Sequence, residues 1–252
     1  MTTMHEVLNS FERISLEEMK EVSLMDRQES KFLIKKEGLS KLLIYLNEEY
    51  LLFSIQNKTI LNYNTVYYDT EELEFYRARL VGKSNRLKVR IRNYVDSKIS
   101  FIEIKKKNNK GRTTKSRREF EGEFPLVLDR KEAVYVKENG YENESRLVAT
   151  LAVFYKRITL VSKKLNERVT IDLDLRFADK NNSKHYEDVC IIEVKQFQKS
   201  LSPIFERLNT IRNLKGPISK YCLGLLSLRP VLPHNLFKTK LYNFNKFIIS
   251  TI

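Results

Sequence analysis

The chain has 252 residues, enough for one large domain or two small ones with a substantial core. With 42% hydrophobic and 31% charged residues it is neither disordered nor fibrous, and no apolar run approaches the ~18 residues of a membrane span. Its 46 Lys and Arg against 32 Asp and Glu, a formal net charge of +14, point to a polyanionic partner: nucleic acid, a membrane surface or a phosphorylated small molecule.

In chain order, residues 1–30 read as a helix with an irregular apolar face formed by Phe11, Ile14, Leu16, Met19, Val22 and Leu24. They lack the apolar stretch of a signal peptide, so a cytoplasmic location is the default expectation. "KFLIKK" is a strand, and Leu39, Leu42, Leu43 and Leu46 predict a helix near 38–50. "TILNYNTVYYDT" is a strand; "DTEELEFYRARL" is a helix that Asp69 or Thr70 can cap. "NRLKVRIRNY", "KISFIEIKKK" and "TKSRREFEGEF" form an antiparallel meander. Residues 127–150 read as helical. Three more strands follow, "FYKRITLVS", "ERVTIDLDLRF" and "YEDVCIIEVKQF", and then the helices "SPIFERLNTIRNL" and "SKYCLGLLSL". The tail after Pro230 is weakly patterned. Eight mostly antiparallel strands with flanking helices predict an α+β fold, closed into an eight-stranded barrel or left as an open sheet. The expected organisation is an N-terminal helical segment (1–25), a main domain (26–229) and a C-terminal tail (230–252).

Cys190 and Cys222 make no disulfide framework, and His5, His185 and His234 have no metal-ligand spacing. No phosphate-binding glycine loop is present. The chemistry lies in charges on strands. In "NRLKVRIRNY" the cations Arg86, Lys88, Arg90 and Arg92 share one face, and Leu87, Val89 and Ile91 share the other. The pattern E-x-K occurs on three strands, as Glu29/Lys31, Glu103/Lys105 and Glu193/Lys195. "YKR" joins Tyr155 to Arg157, and "TIDLDLR" would join Asp172, Asp174 and Arg176. "TKSRREF" puts Lys115 and Arg117 on one face and Arg118 on the other unless a bulge intervenes. A solvated sheet face explains most charged strands. A phosphate-filled cleft explains equally well why like charges recur on nearly every strand, because phosphate oxygens suit arginine forks and lysine point charges. Carboxylates repel phosphate, so their presence there suggests Mg²⁺ or Mn²⁺.

In their order along the chain these motifs resemble the triphosphate tunnel metalloenzyme (CYTH-like) superfamily, and more closely its VTC branch, the polyphosphate polymerase domain of the vacuolar transporter chaperone. The resemblance runs from about Asp26 to Leu228 and includes "RQESKF", "VYYDT", "RIRNY", "EIKKK", "KSRR", "FYKR", "RVTIDLD", "IIEVK" and "ISKY". Arg27 stands where the wider superfamily often has a glutamate. The resemblance implies an eight-stranded antiparallel barrel with a basic lumen, which transfers the γ-phosphoryl of ATP onto inorganic polyphosphate. Lys31, Arg90, Arg92, Lys105, Arg157 and Glu193 are the implied catalytic set. Lys107, Lys115, Arg118, Tyr155, Arg168, Lys195, Ser219 and Lys220 are the implied further phosphate ligands. Glu193 is the implied holder of Mn²⁺ or Mg²⁺, with Glu29, Glu103 and Asp174 as additional candidates. Arg86 and Lys88 are expected near a tunnel mouth. The implied partners are ATP or another triphosphate and polyphosphate, with no nucleic acid and no membrane span; oligomeric state leaves no mark in the sequence. The same barrel also accommodates a triphosphatase or polyphosphate hydrolase using Glu103 or Glu29 as base, or a non-catalytic polyphosphate sensor.

Overall fold

A computed structural model describes residues 3–21, 28–143, 145–164, 166–197, 202–216 and 219–249. The chain runs α1 (Met4–Asn9), β1 (Arg13–Ile14), α2 (Leu16–Glu21), β2 (Gln28–Lys35), α3 (Leu39–Leu46), β3 (Tyr50–Phe53), β4 (Leu61–Asp69), α4 (Glu74–Leu80) and β5 (Arg86–Tyr94). It continues with β6 (Ile99–Lys107), β7 (Thr113–Phe120), α5 (Arg130–Glu138), β8 (Val148–Ser162), β9 (Glu167–Ala178), β10 (Ser183–Tyr186) and β11 (Val189–Gln196). The last elements are α6 (Pro203–Thr210), β12 (Asn213–Lys215), α7 (Lys220–Leu228) and α8 (Lys238–Ile249).

The strands form one 12-stranded sheet whose main path is β12-β2-β11-β9-β8-β4-β5-β6-β7. The eight expected strands occupy β2 to β7 on this path, and every neighbouring pair is antiparallel. The short strands β1, β3, β10 and β12 are additions, and β1 pairs with β3 in parallel. Among the described residues no ladder joins β7 to β2 or β12, so the architecture is an α+β fold around a large antiparallel sheet. β7 carries charge along its exposed edge (Lys115, Arg117, Glu119), which discourages pairing with another chain.

The helices differ from expectation in three places. The N-terminal segment is two short helices. Each begins with a reciprocal capping box, Thr3 with Glu6 and Ser15 with Glu18. Between them Arg13 and Ile14 leave the helix to pair with Leu52 and Phe53. In 127–150 only Arg130–Glu138 is helical, capped by Asp129 and stopped at Gly140, whose φ of 98° is left-handed. The tail contains α8, because Phe244 and Phe247 find buried seats against the body of the protein. Val22, Leu24 and Arg27 lie outside the described residues.

One face of the sheet is apolar and covered by helices. α1, α3 and α6 bury Leu42, Leu43, Ile204 and Leu208 on Ile34, Ile171 and Ile192. α5 and its flanks cover Val89, Ile91, Ile102 and Ile104, so the aliphatic side of "NRLKVRIRNY" packs as expected. Truncating a fully buried leucine such as Leu43 costs about 2–5 kcal/mol. The other face carries the charges, and α7 and α8 pack over one end of it against Leu151, Phe177 and Tyr186.

Candidate functional site

The strand register puts the expected cations on one surface, here the cationic face. Arg90 on β5 stands opposite Glu103 on β6, which stands opposite Arg117 on β7. Arg90 donates to Glu103 from Nε at 2.6 Å and approaches it from Nη2 at 2.5 Å; Lys115 lies 3.2 Å and Arg92 3.9 Å away. Burial alone would raise the Glu103 pKa, but Arg90, Arg92 and Lys115 outweigh it and hold the group well below the usual carboxylate range.

Two further groups repeat this design. Arg157 on β8 forks onto Asp172 on β9, Nε to Oδ1 at 2.6 Å and Nη2 to Oδ2 at 2.9 Å, and Lys220 at the start of α7 also donates to Asp172. Burial opposes ionisation of Asp172, yet Arg157 and Lys220 bring its pKa down to about 2. On the far wing Glu193 lies 2.9 Å from Lys195 and 3.6 Å from Lys31. Glu29 is opposite Lys195, so two carboxylates and two lysines alternate across β2 and β11. Burial lowers Lys195 to about 8 despite the pull of Glu193.

The cationic face is thus built from three clusters of cations around a carboxylate: Arg90, Arg92 and Lys115 on Glu103, Arg157 and Lys220 on Asp172, and Lys31 and Lys195 on Glu193 with Glu29 beside them. Rings support them. Tyr63 stacks on Tyr155 at 5.1 Å, and the Arg157 and Arg92 guanidiniums lie 5.1 and 5.8 Å from the Tyr63 centroid. Charges on unpaired strands also influence one another: Lys31 on β2 contributes to lowering Lys88 on β5, and Arg157 on β8 contributes to lowering Glu193 on β11. Two buried hydroxyls on this face, of Tyr155 and Thr170, have no hydrogen-bond partner among the described residues.

Lys105, Lys107 and Arg168 share the face with these clusters, opposite Lys88, Arg86 and Lys195 respectively. Lys88 is not at an exposed mouth. Its ammonium donates to Ser219 Oγ at 2.9 Å and sits over the Tyr67 ring, and burial lowers it to about 8. Burial would raise the Tyr67 hydroxyl, but Arg90, Lys88 and Arg92 bring it down to about 8.

Two expected ligands are on the wrong side. Arg118 points to the helix-covered face, 3.2 Å from Glu132 and over the Tyr135 ring, because β7 keeps strict alternation. Asp174 also leaves the cationic face and pairs with Lys36 and Lys156. The register of β9 against β8 slips by one residue there, and Asp174 itself is left-handed with φ of 49°. The interior carboxylate of "TIDLDLR" is Asp172. Sequence reasoning had noted Asp172 and Lys88 by alternation without assigning them this role; Thr170, Tyr63 and Tyr67 carried no charge to mark them.

The VTC domain family profile matches residues 26–229. The chain belongs to the VTC domain family. No curated protein matches it significantly. Among solved structures, a Hippeastrum protein described as a candidate adenylyl cyclase with a dominant triphosphatase activity aligns at 13% identity over 83% of this chain and 98% of its own, with a TM-score of 0.47. A protein of Pyrococcus horikoshii OT3 aligns at 14% identity over 79% of this chain and 98% of its own, TM-score 0.41. A candidate adenylate cyclase of Vibrio parahaemolyticus aligns at 11% identity over 75% and 85%, TM-score 0.39. No described helix of this VTC domain is long and apolar enough to cross a membrane.

The resemblance set out above implies Mg²⁺ or Mn²⁺. Among the described residues no three acidic, histidine or cysteine side chains converge into a cage. Glu193 with Glu29 nearby is a one- or two-carboxylate donor set. Such a set fits Mg²⁺ or Mn²⁺ that keeps most of its ligands as water and substrate phosphate.

Proposed function

We propose that this VTC domain is a polyphosphate polymerase, transferring the γ-phosphoryl group of ATP onto a growing inorganic polyphosphate chain along a cationic face that closes into a tunnel. The reading rests on one arrangement: three cation–carboxylate clusters on a single face, with cations in excess at Glu103 and Asp172, beside two buried hydroxyls that have no hydrogen-bond partner among the described residues. A row of phosphates supplies both the negative charge and the acceptor oxygens that this surface lacks.

Arg90, Arg92, Arg157, Lys31 and Lys105 grip phosphate oxygens, and Tyr155 donates its free hydroxyl. Lys115, Lys195, Arg168, Lys107, Ser219 and Lys220 extend the surface for the chain. Glu193, with Glu29, would hold the metal, which would supply positive charge against the phosphates. The protein contributes alignment and positive potential, and transfer of this kind needs no protein nucleophile. Hydrolysis would need a carboxylate base of matched pKa, and Glu103, locked between Arg90 and Lys115 far below the usual range, is too weak for that work.

Incubation with ATP and Mn²⁺ followed by gel separation of the products tests the reading. Long phosphate chains are the expected result. Phosphate release without chains replaces polymerase by hydrolase, and polyphosphate binding without turnover replaces it by a sensor.

A further inference from the structure

The first three residues at the head of α7 reach three different strands. Ser219 Oγ accepts from Lys88 on β5 at 2.9 Å. Lys220 donates to Asp172 on β9 and lies 4.9 Å over the Tyr155 ring. Tyr221 donates its hydroxyl to Asp69, the last residue of β4, at 2.5 Å.

Asp69 is an immovable anchor. It is fully buried, and its carboxylate also accepts from the backbone N–H groups of Thr70, Phe75 and Tyr76 at 2.8, 2.8 and 3.0 Å. The start of α4 therefore fixes the point to which Tyr221 is tied. The Tyr221 ring also packs 5.1 Å from the Tyr67 ring. Further along the helix, Gly224 lets the backbone press on the sheet: a Cβ there would come within 2.6 Å of Leu151 and Phe177. Lys220 by contrast hangs on a flexible four-carbon stem, and a stem of that kind delivers its charge accurately only if its backbone is held.

We propose that Tyr221, tied to Asp69, is a positioning residue that holds the head of α7 so that Lys220 presents its ammonium to phosphate on the cationic face. The inference rests on the phosphate-binding reading above. Its rival is that the Tyr221–Asp69 bond only stabilises the fold.

A double-mutant cycle separates the two. Binding of inorganic tripolyphosphate is measured by calorimetry for the wild type, Tyr221→Phe, Lys220→Ala and the double variant. Tyr221→Phe keeps the ring and removes only the hydroxyl. Its dissociation constant is expected to rise about five- to tenfold, the scale of one ordinary hydrogen bond. In the Lys220→Ala background the same change is expected to have almost no further effect. Tyr68→Phe, which removes a buried hydroxyl bonded to Pro125 on the opposite face, binds as the wild type does. Asp69→Asn is the second variant: its amide oxygen keeps an acceptor for the Thr70 and Phe75 N–H groups, while the nitrogen in place of Oδ2 can no longer accept from Tyr221; it should weaken binding in the same direction. Unchanged binding in Tyr221→Phe, or losses that add fully with Lys220→Ala, overturns the positioning role alone. A wild type that does not bind tripolyphosphate overturns the phosphate reading and this inference with it.

Discussion

The two wings of the cationic face solve the same electrostatic problem with different side chains. On the β5–β7 wing Glu103 is 2% exposed and its closest partner is an arginine, with a second arginine and a half-exposed lysine nearby. On the β2–β11 wing Glu193 has lysine partners at 2.9 and 3.6 Å, and the three side chains are 16–29% exposed. Arginine stays charged at any ordinary pH and holds carboxylate with a rigid fork. Lysine is a mobile point charge that holds its proton less tightly when burial makes the charge costly, as at Lys195, lowered to about 8. The arginine wing is therefore the fixed grip and the lysine wing the more exchangeable one, as the proposed metal role of Glu193 would require.

Removing one carboxylate from each wing should break the comparison most visibly. Glu103→Gln leaves Arg90 and Arg92 buried without their counter-ion, and a broken buried pair costs about 3–5 kcal/mol of stability. Glu193→Gln should cost only about 1 kcal/mol, because Lys195 can lose its proton and Lys31 can turn to solvent. Urea unfolding of both variants reads the difference directly. Equal losses would mean that the wings do not differ in rigidity.

Activity should rank them the other way. Glu193→Gln is expected to lower chain synthesis from ATP by about 100-fold, the scale of a lost metal carboxylate, while tripolyphosphate binding stays measurable. Normal turnover in this variant would remove Glu193 from the metal assignment.

Affinity should also depend on pH, through one buried lysine on each wing. Burial lowers Lys88 and Lys195 to about 8 in the free protein, and bound phosphate favours their charged forms. Below pH 8 both are already protonated and binding takes up no proton. Above pH 8 each must be protonated on binding, so affinity falls as pH rises, by about tenfold per lysine at pH 9. Lys195→Arg should flatten its share of that fall, as seen in calorimetric titrations from pH 6.5 to 9.5. A flat wild-type profile would mean that neither lysine takes up a proton when phosphate binds.

Much of this was legible in the sequence because sheet periodicity is short. Arg90, Arg92, Glu103, Lys105, Lys31 and Glu193 sit where alternation put them. The resemblance to the VTC branch agrees with the family to which the chain belongs. Features that depend on distant parts of the chain were not legible. Asp69 and Tyr221 are 152 residues apart. The short strands β1 and β3 have too few residues to show a period, and the tail helix α8 is ordered by Phe244 and Phe247 reaching a core assembled from elsewhere. The two T/S-x-x-E capping boxes, Thr3/Glu6 and Ser15/Glu18, were readable signals for two helix starts rather than one.

The failure at Asp174 has a different cause, and it yields the smallest predicted effect. Period-2 reasoning assumes an unbroken ladder, and one extra residue reverses the parity of everything beyond it. Asp174 absorbs that residue in a left-handed conformation which a non-glycine residue adopts at some cost, and nothing in "TIDLDLR" marks the place. Its partners Lys36 and Lys156 are half-exposed, so the ion pairs themselves are worth little. Asp174→Asn should therefore leave tripolyphosphate affinity within about twofold of the wild type, as should Arg118→Gln on the other wing. Asn tolerates the left-handed region well, so the bulge should survive the change. A loss much larger than twofold at either position would place that side chain on the phosphate path and reverse the face assignment of its strand.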